Sequence, residues 1–561
     1  MMIRSVARKR LLTTVALVTG VTMFAAGCSS SGGDGDGGGA SDSGRVLNVW
    51  AGTQTPMVAN FNPYAPNPLH ATNGAIYEPL FFYNRAEAGD PAPVLGESYE
   101  WSEDGTSLTI KIREGVKWTD GKPFTVEDVI FSYTNETAKR DYLSTAEKVD
   151  DSTVKLTFNG AQFTTAVQIL GTTLMLPEHL WKDVPDKITY TNDAPVGTGP
   201  YKLDTISNAT YTVVANEDYW GGKPKLEKVR YLALDKNQSA QDLLSTGKID
   251  WTTMFIADPE PITSKGQVSL INTPQDPTTV MSCMNVALGC VGPQTDLAVR
   301  QAVDLLIDRG EINDKAFSGH AAPASPSLAL IGRDDRWISP DIEKESPQEG
   351  NAAEAGKVLE AAGYTKGADG IYEKDGQKLS VDLISVDGWS DHNAAGDLIA
   401  QQGVEAGVQI NHVKITQQEM SDARTSGNYQ MMISGITGTS LDDPFQIYRQ
   451  WLTTEYTTPV GETIEAGRFN FPRYSNPIVD DAVAQAAATN DEDAKKAAYA
   501  TVQKEIVRDL PYIALVVNPT MSFVNTKDYT GWPVEGDMYA FPPSWATISN
   551  GVILSSLEPT S

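Results

Sequence analysis

Leu108-Thr109-Ile110-Lys111-Ile112-Arg113-Glu114-Gly115-Val116-Lys117-Trp118-Thr119-Asp120-Gly121-Lys122-Pro123-Phe124-Thr125-Val126-Glu127-Asp128-Val129 reads as one strand, one loop and the start of one helix. Leu108, Ile110 and Ile112 alternate with Thr109, Lys111 and Arg113, the period-two pattern of a half-buried strand. Gly115 to Pro123 carries Trp118 and the turn pair Asp120-Gly121, and is a loop. Thr125 opens a helix, with Glu127 and Asp128 in its first turn, where acids suit the helix dipole.

Outward from this stretch, strands and helices keep alternating. On the N-terminal side lie a strand at Val46–Trp50, a loop rich in Pro and Asn, and a helix-like run from Ala71 to Tyr77. On the C-terminal side, Val154, Leu156 and Phe158 alternate as a strand, and Leu176 to Trp181 opens a short helix. Val196 to Leu203 is glycine-rich but lacks the Lys-Ser/Thr ending of a phosphate loop, so it reads as a tight turn entering a strand. Further strands are expected at Tyr211–Val214, Val229–Leu234, Leu379–Ser385, Val408–Val413, Met431–Ser434 and Tyr512–Val517. Helices are expected at Ala240–Thr246, around Val299–Ile307, at Glu354–Ala362, Ala394–Gly407 and Asp491–Leu510, several closed by a glycine. No internal repeat is visible, and the class is α/β to α+β in several lobes.

The first residues are of another kind. Arg4, Arg8, Lys9 and Arg10 precede an uncharged apolar run from Leu11 to Ala26, and Phe24-Ala25-Ala26-Gly27 leads into Cys28. A basic head, a short apolar run and small residues before a cut point describe a secretory signal rather than a membrane span, which needs about 20 apolar residues. Cys28 directly after small residues resembles the lipobox of bacterial lipoproteins, in which the cysteine is lipidated. The plainer alternative is a signal peptide with an incidental cysteine. Ser29 to Gly44 is Gly/Ser/Asp-rich and reads as a flexible tether.

The 534 residues from Cys28 onward exceed one hydrophobic core, so at least two domains are expected. Four of the 44 basic residues and none of the 72 acidic ones fall in the first 27, which leaves the rest at −32. That balance argues against nucleic acid and against adhesion to anionic lipid. Cys283 and Cys290 are expected to form a disulfide in an exported protein, the alternative being two separate thiols. Neither has the paired spacing or neighbouring histidine of a zinc site, the five histidines are scattered, and no metal or cofactor is expected. Nor does the chain contain a G-x-S-x-G or H-E-x-x-H motif, so a secreted hydrolase is the weaker reading.

Taken together, several runs resemble the family 5 extracellular solute-binding proteins of ABC importers, the oligopeptide-, dipeptide- and nickel-binding type. These are Ile76-Tyr77-Glu78-Pro79-Leu80, the opening stretch, Leu176 to Leu180, Gly197 to Leu203, Asp218 to Val229, Leu243 to Trp251 and Val299 to Ile312. Tyr474-Ser475-Asn476-Pro477, with Asp480 and Asp481, and Leu510-Pro511-Tyr512 continue the match. The resemblance implies a two-lobed, periplasmic-binding-protein-like fold with an extra subdomain. By that pattern lobe I holds 45–74, 196–290 and 519–561, the extra subdomain 75–195, and lobe II 291–518, after a signal peptide (1–27) and a tether (28–44). Trp118, Trp220 and the motif glycines are expected to build turns and core rather than the ligand site.

The resemblance also implies a role: a monomeric, lipid-anchored protein outside the cytoplasm that captures a ligand and hands it to a membrane permease and its ATPase. A surface lipoprotein that keeps the fold without transport is the other non-enzymatic reading. Peptide binders of the family carry a Trp and then an Asp for the ligand's ammonium, just before an acidic-Pro pair. Here Ser434 to Pro444 has Ile436 at the Trp position and no acid from Gly438 to Ser440. Either Asp442 substitutes or the ligand has no free ammonium there, because a buried ammonium without a partner costs several kcal/mol. The tail Gly531-Trp532-Pro533-Val534-Glu535 to Pro542 looks like that of oligosaccharide-binding members, which stack sugars on aromatic rings. The expected ligand is therefore an oligopeptide, with an oligosaccharide as the alternative. The residues expected at the ligand are Trp389, Thr437, Thr439, Asp442, Trp451 and Trp532, with Trp545, Gln446 and Asn393 also available.

Overall fold

Backbone pairing sorts most of the strands into two large sheets, one per lobe. In a computed structural model of the chain, the described residues are 46–51, 57–65, 68–234, 237–437, 443–465 and 468–560. The first sheet has seven strands in the order Val268–Asn272, Met521–Asn525, Trp251–Thr253, Val46–Trp50, Lys228–Leu232, Thr210–Ala215 and Tyr201–Ile206. The second has six, in the order Ala322–Pro323, Tyr512–Val517, Pro277–Ser282, Met431–Gly435, Ser380–Val386 and Gln409–Ile415. Ser380–Val386 and Gln409–Ile415 run parallel, which requires a crossover. Helix Ser390–Ala406 supplies it and ends on Gly407 at φ 85°, a left-handed C-cap that glycine adopts without strain.

The expected boundary between the lobes at 290/291 is corrected. Pro277–Ser282 pairs with Met431–Gly435 on one side and with Tyr512–Val517 on the other, so it is a central strand of the second sheet. Lobe II therefore begins near residue 277. Cys283 and Cys290 lie in this lobe, are buried, and are joined by a disulfide with a Cα–Cα distance of 5.5 Å. The helix-like run Ala71–Tyr77 contains only a 3-10 turn at His70–Thr72. Its backbone is instead drawn into a tight crossing with the residues around Gly197.

The two passages of chain between the lobes are themselves paired. Val268–Asn272 lies antiparallel to Met521–Asn525 in the first sheet, and Pro277–Ser282 antiparallel to Tyr512–Val517 in the second. Between them the Thr273 amide donates to the Thr520 carbonyl at 3.0 Å and the Asn518 amide to the Asp276 carbonyl at 2.9 Å. The ladder thus continues from sheet to sheet as a two-stranded ribbon.

The extra subdomain is a four-stranded antiparallel sheet, Gly96–Trp101, Ser107–Ile112, Thr153–Phe158 and Leu143–Asp150, with helix Val126–Thr134 packed on it. Leu108, Ile110 and Ile112 are buried and form its core with Val154, Leu156 and Val129. Trp118 is buried, and its indole donates to Asp128 at 3.2 Å. Asp128 also closes a capping box with Thr125 and accepts the Glu178 amide at 2.8 Å, which ties the opening stretch to the next helix.

The subdomain joins lobe I through a buried carboxylate. Glu78 accepts from the Tyr219 hydroxyl at 2.8 Å and from the Trp220 indole at 3.0 Å, and Arg113 stacks 4.2 Å above the Trp220 ring. Burial pushes the Glu78 carboxyl above its ordinary range, opposed by the Trp220 and Tyr219 hydrogen bonds. Alongside, the backbone at Ala75–Ile76 crosses Gly197–Gly199: a Cβ on Gly197 would stand 1.8 Å from the Ile76 carbonyl oxygen, and one on Gly199 2.4 Å from that of Ala75. Glycine is required here for close approach of two backbones. Glu78→Ala, which strands two buried donors, is expected to cost about 3 kcal/mol or more. Gly197→Ala is expected to cost about 1–3 kcal/mol through overpacking. The midpoint of urea unfolding checks both.

Candidate ligand cleft

The largest cavity of the three described here, about 470 Å³, opens beside the hinge ribbon. Asp276 and Asn518 come from the ribbon and Phe255 from lobe I. Lobe II supplies the loop Gly388–His392, Arg424 and the strand end at Ser434 to Thr437. The loop is placed by strand Ser380–Val386, which ends at a turn where Gly388 has φ 89°. Trp389 then caps the helix that follows and keeps 45% of its surface exposed.

His392 sits one turn into that helix, edge-on to Trp389 at 5.2 Å, and is buried with no partner for Nδ1 among the described residues. Burial pushes its imidazole below the ordinary value, and Asp391 pulls the other way. Arg424, in the last turn of helix Gln417–Ser426, holds its guanidinium 4.9 Å over Phe471. Its Nε is buried without a hydrogen-bond partner, and burial lowers its pKa against the pull of Tyr429. The cavity thus carries a cation from one wall and the carboxylates of Asp276 and Asp391 nearby.

Two further chambers lie between the extra subdomain and lobe II. A middle one of about 150 Å³ has Arg85, Gln446 and Trp545 in its wall. Burial pushes the Arg85 guanidinium below its ordinary value, and the charge of Asp276 pulls the other way. Arg333 of lobe II donates to the Arg85 carbonyl at 3.0 Å and so bridges the lobes. An outer chamber of about 320 Å³ shares Tyr83, Val167 and Gln446 with the middle one.

Of the residues expected at the ligand, Trp389 and Thr437 line the hinge-side cavity. Trp451 does not: it is 1% exposed, stacks on Phe469 at 5.1 Å and donates its indole to the Thr437 carbonyl. Trp532 is 6% exposed, packs edge-on to Trp251 and donates to the Asn525 carbonyl. Both are core residues of their lobes. Thr439, Asp442 and Cys28 lie outside the described residues. Asn393 accepts from the Ser385 hydroxyl at 2.7 Å and supports the helix rather than the cavity. Arg424, Asp276, Asn518 and Arg85 were not legible beforehand. Arg424 belongs to a polar helix that reads as solvent-facing, and the ribbon residues carry no pattern of their own. Trp389→Ala is expected to leave stability within about 0.5 kcal/mol, whereas Trp451→Ala should cost about 3–5 kcal/mol. Thermal unfolding of the two variants without ligand checks this.

Two lobes, a double-stranded hinge and a cleft walled from both sides define a two-lobed substrate-binding protein. The model of the bacterial extracellular solute-binding proteins, family 5, matches residues 90–458, and the chain belongs to that family. Protein XP55 of Streptomyces lividans is 29% identical over 436 residues, covering 74% of this chain and 73% of its own. The glutathione-binding protein GsiB of Escherichia coli K12 is 27% identical over 474 residues, 79% and 84% of the two chains. Among solved structures, a periplasmic oligopeptide-binding protein of an ABC transporter from Thermotoga maritima, bound to mannohexaose, superposes with a TM-score of 0.74 at 22% identity, over 92% of this chain and 99% of that one. The oligopeptide-binding protein AppA from Bacillus subtilis, in complex with a nonapeptide, gives 0.68 at 20% identity, over 92% and 99%. These likenesses show the fold of two-lobed periplasmic binding proteins. The family is extracellular, and among the described residues no helix is long and apolar enough to cross a membrane.

Proposed function

We propose that this protein captures a short oligopeptide in the hinge-side cavity and delivers it to the permease of an ABC importer by closing its lobes. The observation that carries this reading is the pairing of opposite charges around one cavity. Arg424 lines the cavity with a buried Nε that has no hydrogen-bond partner among the described residues, suited to a carboxylate, while Asp391 in the same wall is suited to an ammonium. A peptide with free ends has both groups, and a neutral sugar has neither. Contacts from both lobes select the closed form, and the ribbon supplies the hinge.

A thermal-shift screen with di- to pentapeptides and with cello-, xylo- and manno-oligosaccharides tests the ligand class. A ligand at 100 times its Kd adds about 2.7 kcal/mol, a readily measured shift. Peptides are expected to stabilise, their C-terminal amides to bind about tenfold more weakly, and Arg424→Met to abolish that difference. Stabilisation by sugars alone overturns the peptide reading. An oligosaccharide ligand is the second reading, favoured by the exposed Trp389 ring at the cavity and by the mannohexaose held by the Thermotoga protein.

We also propose that Cys28 is lipidated and that Ser29 to Gly44 tethers a monomeric binding body to the outer side of the membrane. One acyl chain gives only marginal attachment, so a doubly or triply acylated cysteine is the anchor expected. Cys28→Ala is expected to move the protein from the membrane fraction to the medium or the soluble extracytoplasmic fraction. Immunoblots of the fractions read this, and retention of the variant on the membrane overturns it.

A further inference from the structure

We infer that Arg473, which does not line the hinge-side cavity, is the positioning residue that holds Arg424 toward it and so sets the preference for a ligand with a free carboxylate. This rests on the binding role proposed above.

Arg473 is fully buried, and its backbone sits at φ 58°, a left-handed conformation that is unfavourable for any residue but glycine. A strained backbone carrying a buried cation points to a task for the side chain. Its guanidinium ends on three main-chain carbonyls. Nη2 donates to that of Thr425 at 2.7 Å, and Nη1 donates both to that of Arg424 at 3.1 Å and to that of Phe471 at 3.0 Å. Arg424 and Thr425 lie in the last turn of helix Gln417–Ser426, where carbonyls lack partners within the helix and the dipole favours a cation.

The two carbonyls on Nη1 belong to the two supports of Arg424. One is its own and fixes the backbone from which its side chain leaves. The other is that of Phe471, whose ring lies 4.9 Å from the Arg424 guanidinium. The Tyr429 hydroxyl donates to the same Phe471 carbonyl at 2.9 Å. One planar fork therefore sets the helix end against the ring, which a flexible ammonium does not do. Gly427 leaves room for the fork: a Cβ there would stand 2.8 Å from the Arg473 Cζ.

The charges fit this division of labour. Burial pushes both guanidinium groups below their ordinary range, and the groups that pull the other way are tyrosines, Tyr429 for Arg424 and Tyr429 with Tyr512 for Arg473. Among the described residues no carboxylate pairs with either, and the Nε of each is buried without a hydrogen-bond partner. A carboxylate built into the fold would draw Arg424 to itself and neutralise it. Main-chain carbonyls and a ring face hold it in place and leave its charge for an anionic group of the ligand.

Trialanine and pentaalanine, each as the free acid and as the C-terminal amide, are titrated into the full-length protein by calorimetry. The wild type is expected to bind the acids about tenfold more tightly than the amides. Arg473→Lys keeps the charge but loses the fork, and is expected to lower that ratio to about threefold or less with affinity for the amides unchanged. Phe471→Leu and Tyr429→Phe weaken the same support, lower the ratio in the same direction, and carry the test where Arg473→Lys does not fold. In an Arg424→Met background none of the three changes the ratio further, the coupling expected of residues that act through Arg424. A purely structural Arg473 would lower the melting temperature and weaken acids and amides alike. That outcome, or a ratio that stays near tenfold in folded Arg473→Lys (in both other variants where it does not fold), overturns the positioning role and leaves the peptide reading standing. Equal binding of acids and amides by the wild type, or no binding of any of the four, overturns both.

Discussion

The Glu78 carboxylate, almost without solvent, is where the architecture is held. Removing a carboxylate from water is costly unless its oxygens are hydrogen-bonded, and here Tyr219 and Trp220 supply the donors. The donors and the acceptor come from segments 141 and 142 residues apart, so satisfying the charge fixes the subdomain against lobe I. The crossing of Ala75–Ile76 over Gly197–Gly199 does the same through backbone packing, with the Gly199 amide donating to the Ile76 carbonyl at 2.9 Å. Because the subdomain carries Trp101 and Phe163, the position of one outer wall of the cleft follows from a contact inside lobe I.

The hinge works on the opposite principle. Its two strands hydrogen-bond to each other between the sheets, so rotating one lobe against the other twists a ribbon without breaking the ladder. Hinge motions of this kind are absorbed by a few residues between rigid elements, and here these lie between Asn272 and Pro277 and between Val517 and Met521. Asp276 and Asn518 are both hinge residues and cavity residues. In the function proposed above, a ligand that touches them contacts the ribbon about which the lobes close.

The fold was legible from the sequence where one face of an element is buried. The alternation from Leu108 to Ile112 gives the subdomain strand because its other face meets water. Pro277–Ser282 carries no alternation because all six of its residues are buried, so the sequence does not mark it as a strand or the lobe boundary that it sets. Ala71–Tyr77 misled for a related reason: its apolar spacing serves a packed crossing rather than a helix. The scaffold motifs were readable because glycines and buried polar residues at Gly197, Gly199 and Glu78 are dictated by packing. The cleft residues answer to a ligand the chain does not contain, so a cation on a polar helix and an aspartate in a linker look like any others.

Tryptophan shows the same division most clearly. A buried indole needs an acceptor for its N–H, and the lobes provide them: Thr437 for Trp451, Asn525 for Trp532, Pro542 for Trp251, Asp128 for Trp118. Composition alone makes every tryptophan a candidate for stacking on a ligand. Exposure separates them. Of the 11, the two counted as exposed are Trp389 at 45% and Trp545 at 37%, and both line the cleft, one from lobe II and one from lobe I. An exposed indole loses the burial that stabilises the others, about 25 cal/mol for each Å² of apolar surface left in water. Trp389 leaves that surface in the hinge-side cavity and Trp545 in the middle chamber, so each is a place where an added apolar face would recover the burial that the core indoles already have.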